Sequence, residues 1–588
     1  MSAPSSPRGG DELTNLGLIL LVSAVGLAAL LRVAGTIATH VSGIDPPTSG
    51  LAAGIRVLVT PGDPAGALDA PGLNPVLYWA VVGVLLSGLS ATAWGLWRLL
   101  RRDKTPVPRD PRRLAGTATR GDVTKAASTR TLLARSRALR PSLTKPAPSD
   151  VGYLLGTSKG KDVWVSVEDS VLVLGPPRSG KGLHVVINAI LDAPGAVITT
   201  STRPDNLTAT MKARERRGPV AVFDPQHLAE GLPTGLRWSP VRGCENPLTA
   251  MIRATGFSSA TGLSTGGVES GGFWEGKTRT ALQALLHAAA LGQCTPRDLF
   301  AWSLSPSAAA DAVAILSSHP RSAPGWAESL ESTIHSDPRT RDSIWMGVSL
   351  ALTCLADPRV MDAVSPRPGE SFDPTQFLRA NGTMYLLSTG AGASASWSLV
   401  AAFIEDLVET ARALAAASPG ARLDPPLLLA LDEIGNLSPL PSLPVLMAEG
   451  GGTGITTMPV LQSLSQARAR WGDHNAGAIW DASIVKIVLG GASVAKDLQD
   501  VSALLGERDE TTDTVSVGDH GSRSVQRSVR RVPVMPPETI RMLPFGTALV
   551  LLRSAPPLVT DLRAWTTRPD AAQLVADRAA IELTLRRA

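Results

Sequence analysis

The sequence predicts an α/β protein with a parallel sheet, an all-helical domain inserted into it, and a two-helix anchor at the N-terminus. Three observations predict this. The apolar run Ser170-Val171-Leu172-Val173-Leu174 leads directly into the loop Gly175-Pro176-Pro177-Arg178-Ser179-Gly180-Lys181-Gly182. A second run, Pro426-Leu427-Leu428-Leu429-Ala430-Leu431, ends in Asp432-Glu433, 251 residues after the loop lysine (432 − 181). Two stretches, about 16–38 and 75–97, are apolar over the roughly 20 residues that a bilayer-spanning helix needs.

Residues 16–31 are apolar or small throughout, and the run resumes after Arg32 to about Ala38. The second stretch is uncharged and carries Trp79, Trp94 and Trp97 like interfacial anchors. A signal peptide would need a strongly basic start and a small-residue cleavage site; neither is evident, and a second stretch follows. Arg98, Arg101, Arg102 and Lys104 follow the second stretch, whereas the intervening loop holds one arginine, Arg56, and no lysine. The positive-inside rule therefore expects the N-terminus and everything beyond the second stretch in the cytoplasm, making the chain a multi-pass membrane protein. The outward loop, about 39–74, is rich in Gly and Pro and is expected to be poorly ordered.

Residues 1–104 thus form the expected anchor, and 105–150 a basic linker with Arg109, Arg112, Arg113, Arg120, Lys125, Arg130, Arg135, Arg137, Arg140 and Lys145. Its first dozen residues are expected near anionic lipid; the rest is open between a solvated segment and contact with DNA phosphates. Net charge decides nothing about partners, because 56 Lys+Arg face 51 Asp+Glu. Three scattered cysteines, Cys244, Cys294 and Cys354, give neither a disulfide framework nor a metal cluster.

Residues 151–250 alternate strands at 163–167, 171–174, 196–200 and 220–223 with a helix at 182–191, as a covered parallel sheet does. From 251 to 370 the strands stop and helical periodicity takes over, at 273–291, 306–316, 326–334 and 341–355. Strand-like runs return at 383–388 and 427–432, around a helix near 396–416, so 371–566 is expected to complete the sheet, with 567–588 as a tail.

A strand running into such a loop binds phosphates, because glycines let backbone N–H groups approach and the lysine reaches the β/γ-phosphates. Residues 175–182 are therefore the expected ATP cradle, with Lys181 its catalytic cation. Gly182 stands where a Ser or Thr hydroxyl would bind Mg²⁺, so phosphate oxygens, water and Asp432 are left to hold that ion. Glu433, next to it, is expected to polarise the attacking water. Further on, Val460-Leu461-Gln462-Ser463 is an apolar strand end followed by glutamine. Gln462 is either a γ-phosphate sensor or a polar residue at a strand exit.

These residues resemble the type IV secretion system coupling proteins, the conjugative DNA-transfer ATPases of the TraG/TraD group, over most of residues 115–566. The resemblance rests on Gly116-Thr117-Ala118 with Arg120, Arg178-Ser179-Gly180-Lys181-Gly182, Phe223-Asp224-Pro225, Trp238-Ser239-Pro240 and Phe273-Trp274. It continues in Gly382-Thr383-Met384-Tyr385-Leu386, Asp432-Glu433, Gln462-Ser463, Ser502, Leu504-Leu505-Gly506, Arg530-Arg531 and Leu543-Pro544-Phe545-Gly546. Glycine after the loop lysine is common in that family, and its all-helical domain between the two motifs produces a gap like the one here. The resemblance implies a RecA-like P-loop NTPase core and a homo-hexameric ATPase at the bacterial inner membrane, facing the cytoplasm. That ATPase uses ATP and Mg²⁺, receives a relaxase–DNA complex and hands it to type IV secretion channel subunits. Basic residues that family members carry before the sensor glutamine are replaced by Ala448-Glu449-Gly450-Gly451-Gly452-Thr453-Gly454. Arg203, Arg468 and Arg470 are the alternatives for an arginine acting across a subunit boundary. Two other readings stand beside this one: an FtsK/SpoIIIE-like double-stranded DNA translocase, and a membrane receptor that binds nucleotide and recruits cargo without efficient hydrolysis.

Overall fold

The computed structural model describes residues 10–100, 110–229, 231–232, 235–263, 271–367, 369–370, 372–388, 396–437, 439–517 and 523–587. It divides into two units, residues 1–108 and 109–588.

In the first unit, helices α1 (Gly10–Ser42) and α4 (Pro75–Leu100) contain apolar segments Leu21–Ser42 and Pro75–Trp97, with mean hydropathies of 1.9 and 1.8. Leu21, Val22, Val25, Val84, Leu89, Trp94 and Leu96 are exposed on them, an apolar surface suited to lipid. The expectation of a poorly ordered loop between them is corrected. The loop folds into α2 (Ala52–Val59) and α3 (Pro64–Ala67), and Ala53, Val57, Leu68 and Leu73 pack with Leu31, Ala34, Ala38 and Tyr78. Arg32, the charge inside the first apolar run, explains the order. Its guanidinium donates to the carbonyls of Ser49 (2.8 Å) and Pro47, satisfying loop backbone from within the helix. Of the basic residues that set the orientation, Arg101, Arg102 and Lys104, like linker Arg109, lie outside the described residues.

The second unit is built on one eleven-stranded sheet among the described residues. Its strands are β1 (Gly152–Ser158), β2 (Lys161–Ser166), β3 (Val171–Leu174), β4 (Val197–Ser201), β5 (Val220–Phe223), β6 (Thr383–Leu387), β7 (Leu427–Leu431), β8 (Ile455–Leu461) and β9 (Val485–Leu489). A separate two-stranded ribbon, β10 (Glu507–Val517) and β11 (Arg523–Pro533), follows, and β12 (Thr547–Leu552) and β13 (Leu558–Leu562) return to the large sheet. The order is β2-β1-β13-β12-β9-β3-β8-β7-β4-β6-β5, parallel from β9 to β5 and antiparallel from β2 through β12 to β9. Strands β3, β4, β6, β7 and β8 are buried at every position, which is why their sequences read as unbroken apolar or Thr-containing runs.

Between β5 and β6 the described residues form helices and no strand, including Pro247–Ser259, Gly271–Leu291, Pro296–Leu304, Trp326–Ile334 and Pro338–Leu352. A buried charge cluster fastens this insertion to the helix Ser396–Ala416. Arg253, 1% exposed, lies 2.6 Å from Asp406, stacks 4.7 Å over Trp238 and donates to the Pro240 carbonyl at 2.7 Å. The Trp238 indole N–H donates to the same carboxylate at 3.0 Å.

The segment read from its charge as a linker is, from residue 110 onward, part of the second unit. Short helices Arg120–Ala127 and Thr129–Ala134 bury Val123, Ala127 and Leu132 against β1 and β2. Three of its arginines are held by carboxylates far along the chain: Arg112 by Asp561, Arg135 by Glu168 and Arg140 by Asp424. Charge composition alone does not distinguish a free basic segment from one whose charges are matched in space.

Removing Asp406 would strand the buried Arg253 guanidinium, the costly way to break a buried pair, at about 3–5 kcal/mol. Asp406→Ala is therefore expected to lower the thermal unfolding midpoint strongly. Asp406→Asn, which keeps an acceptor for Trp238, is expected to lose less.

Candidate nucleotide-binding site

The site lies where β3, β8 and β7 end side by side. Leu174 pairs with Leu461 and Leu431 with Pro459, so residues 175, 462 and 432 leave the sheet at the same edge. Carboxyl ends of adjacent parallel strands are where α/β sheets place ligands. The loop from β3 turns through Arg178 (φ +64°) and Gly180 (φ +89°) into the helical segment Gly182–Asp192. A Cβ at Gly180 would sit 2.8 Å from the His184 ring and 3.0 Å from Phe545, so both the φ and the space require glycine. His184 packs edge-on against Phe545 with centroids 5.2 Å apart. Burial pushes the His184 imidazole below its usual pKa and keeps it neutral. This contact gives the Leu543-Pro544-Phe545-Gly546 motif a role: it braces the loop from behind.

Lys181 is 7% exposed, and its ammonium donates to the carbonyls of Gly175 (2.8 Å) and Pro176 (3.2 Å). It also lies 3.7 Å from the Glu433 carboxylate. Glu433 has φ +53°, a left-handed conformation that costs a non-glycine residue energy and aims its side chain at the loop. The same carboxylate accepts from the Gln462 amide at 3.1 Å and from Asn436. Lys181 and Gln462, distant in sequence, are thus both gathered at the Glu433 carboxylate.

Asp432 points to the other side. Its backbone carbonyl accepts from Thr200 at 2.7 Å and its Oδ2 from Asn206 at 3.1 Å. Its Oδ1 is shut off from solvent and has no hydrogen-bond partner among the described residues. Burial, reinforced by the neighbouring Glu433 charge and opposed by the Asn206 bond, pushes the Asp432 carboxyl up to about 6. A buried, unpartnered carboxylate oxygen beside a phosphate loop has the chemistry that a hard divalent cation takes, so these residues fit Mg²⁺.

Three residues of this cluster were missed in the sequence. Gln466 accepts from the Gln462 backbone N–H at 2.9 Å and donates to Asn436 at 2.8 Å, closing a ring of amides around Glu433. The third is Asn206, at the start of the helix Asp205–Glu215 after β4. Spacing hinted at two of them: Asn436 lies three residues after Glu433 and Gln466 four after Gln462, on the first turns that leave their strands.

The arginine alternatives separate. Arg468 is engaged by Asp497 (3.0 Å) and Asp500 (3.5 Å), and Arg470 stacks on Trp397 at 4.9 Å. Arg203, just beyond β4, is exposed. The glycine run that replaces the expected basic residues has a packing reason: a Cβ at Gly451 would fall 2.0 Å from the Glu168 carbonyl oxygen.

A carboxyl whose pKa is raised by folding binds protons more readily in the native state than in the unfolded one. Its cost to stability therefore grows as pH rises from about 4 to 6 and is fully present above. Asp432→Asn is expected to raise the thermal midpoint above pH 6 and to leave it near wild type below pH 4, checked by melting curves across pH.

The model described as "Type IV secretory system Conjugative DNA transfer" matches residues 121–294, and the one described as "TraM recognition site of TraD and TraG" matches residues 426–545. No curated protein matches the chain. Among solved structures, the bacterial conjugative coupling protein TrwB without its first 70 residues, in unbound form, is 18% identical with a TM-score of 0.54. That match covers 74% of this chain and 92% of that one. TrwB in complex with a non-hydrolysable ATP analogue is 19% identical with a TM-score of 0.54, covering 75% and 93%. TrwB with ADP and Mg²⁺ is 17% identical with a TM-score of 0.50, covering 75% and 93%. At these identities the likeness is one of fold, over about three quarters of this chain. With both family models placed on the two halves of the nucleotide site, the chain belongs to the type IV secretion coupling proteins.

Proposed function

We propose that this protein is a membrane-anchored ATPase that couples a relaxase–DNA substrate to a type IV secretion channel in conjugative DNA transfer. The observation that carries the reading is the convergence of Lys181 and Gln462 on the Glu433 carboxylate at the sheet edge, beside the loop and next to Asp432. One structural neighbour is in complex with a non-hydrolysable ATP analogue and another with ADP and Mg²⁺, which supports ATP and Mg²⁺ as the cofactors here.

The backbone N–H groups of 175–182 cradle the phosphates, and Lys181 exchanges its loop carbonyls for the β/γ-phosphate oxygens. Asp432, with its unpartnered Oδ1, would hold Mg²⁺, which when bound would supply positive charge to the phosphate oxygens. Glu433 orients and polarises water, which requires Lys181 to leave it. Gln462, bonded to Glu433 and through Gln466 to the helix Leu464–Ala482, reports the loss of the γ-phosphate along that helix. An arginine from a neighbouring subunit of a hexamer completes the site, and Arg203 is the one of the three alternatives left exposed. The two apolar helices cross the inner membrane, with the second unit in the cytoplasm. The family model over residues 426–545 supports a relaxosome protein as a partner.

Glu433→Gln is expected to bind ATP as wild type does while turnover falls by about 10²–10⁴, the range that general-base removal gives. Lys181→Ala is expected to lose both binding and conjugative transfer. Wild type that binds ATP but never hydrolyses it with DNA present would leave the cargo-receptor reading in place of this one. ATP-driven movement along double-stranded DNA without a secretion channel would favour the FtsK-like reading.

A further inference from the structure

The hydroxyl missing at Gly182 leaves Mg²⁺ one protein oxygen short, and the structure shows what stands near its place. Gly182 opens the π-helical turn Gly182–Val186 and has no positive φ. A Cβ built there would meet the Asn206 side-chain oxygen Oδ1 at 3.9 Å, ordinary contact, with nothing closer outside the local helix. A serine at 182 would therefore fit without strain, and its hydroxyl would enter the space that the Asn206 carboxamide borders. Asn206 is 2% exposed, and its Nδ2 is committed to Asp432 Oδ2 at 3.1 Å. That bond fixes the carboxamide's orientation, so the oxygen end faces the phosphate-loop helix while the nitrogen end faces the carboxylate. One side-chain oxygen, Asn206 Oδ1 beyond β4, thus borders that space, and the carboxylate that the same Asn206 holds, Asp432 beyond β7, keeps an Oδ1 that is buried and without a partner among the described residues.

We propose that Asn206 replaces the P-loop hydroxyl, its side-chain carbonyl oxygen serving as the protein ligand to Mg²⁺ that Gly182 cannot supply. The proposal rests on the nucleotide reading above and adds a residue to it. Amide carbonyl oxygens are hard, neutral donors suited to Mg²⁺, as a hydroxyl is. The exchange also explains why glycine is tolerated after the loop lysine: the ligand has moved from the loop's own helix to the next one. Because Asn206 holds Asp432 as well, metal ligand and metal carboxylate are placed by one hydrogen bond.

The test uses the full chain in detergent and a fluorescent ATP analogue, titrated with Mg²⁺ and, separately, in EDTA. Asn206→Leu is expected to raise the Mg²⁺ concentration for half-maximal enhancement of binding by about tenfold, the lower end for loss of a metal-site partner. Its affinity in EDTA should stay at wild type, which also shows that the variant is folded. Asn206→Asp keeps the oxygen but loses the N–H given to Asp432, and is expected to stay within about threefold of wild type in Mg²⁺ requirement. Adding Gly182→Ser to Asn206→Leu is expected to restore the wild-type requirement. An unchanged Mg²⁺ requirement in Asn206→Leu overturns the proposal. So does Asn206→Asp failing like Asn206→Leu, which assigns Asn206 to holding Asp432 only. Wild type that binds no nucleotide in either condition overturns the ATPase reading itself, an outcome distinct from both.

Discussion

The register of three adjacent parallel strands is the constraint on which the rest of the site depends. β8 lies between β3 and β7, and the pairings Leu174–Leu461 and Leu431–Pro459 bring the three strand ends to one edge. Slipping any strand by one residue would reverse its side chains between the two faces, and with them the direction in which Gln462 or Asp432 leaves the sheet. The strands can hold that register because every position in them is buried. Apolar cover on both faces leaves the backbone ladder as the only place for their polar groups.

Polar chemistry is therefore confined to the strand ends, and there it is crowded. Glu433 carries a left-handed φ and three side-chain partners, so its orientation is set by backbone strain and by the amides of Gln462 and Asn436 together. Asp432, one residue earlier, is aimed the opposite way and left with an unpartnered buried oxygen. Two neighbouring carboxylates thus have different surroundings, which suit them to the different tasks proposed above: one sits in a hydrogen-bonded ring beside a cation, the other is desolvated with an oxygen left over.

Some features with a functional look have structural causes. The glycines that replace basic residues at 450–452 and 454 lie in a turn packed directly on neighbouring backbone. Three arginines of this segment, Arg112, Arg135 and Arg140, are matched to carboxylates in or next to the sheet, so the segment contributes to the fold of the second unit where a solvated or DNA-contacting basic linker was expected. The loop of the first unit is ordered by Arg32, a residue that in sequence only interrupts an apolar run.

The sequence by itself determined the fold class, the helical insertion, the two apolar helices, and the loop, carboxylates and glutamine that the sheet brings together. These were legible because burial leaves a periodic or unbroken apolar trace along the chain, and because a phosphate loop is a contiguous motif. Only the tertiary structure decided which strands lie side by side, that Asn206, Asn436 and Gln466 join the cluster, and which carboxylates hold the arginines of the supposed linker. Those pairings join residues as far apart as Arg112 and Asp561, and strand order in a crossover sheet is not chain order. A lone asparagine or a basic segment has no local pattern that reveals its partner; only the packing of the sheet supplies it.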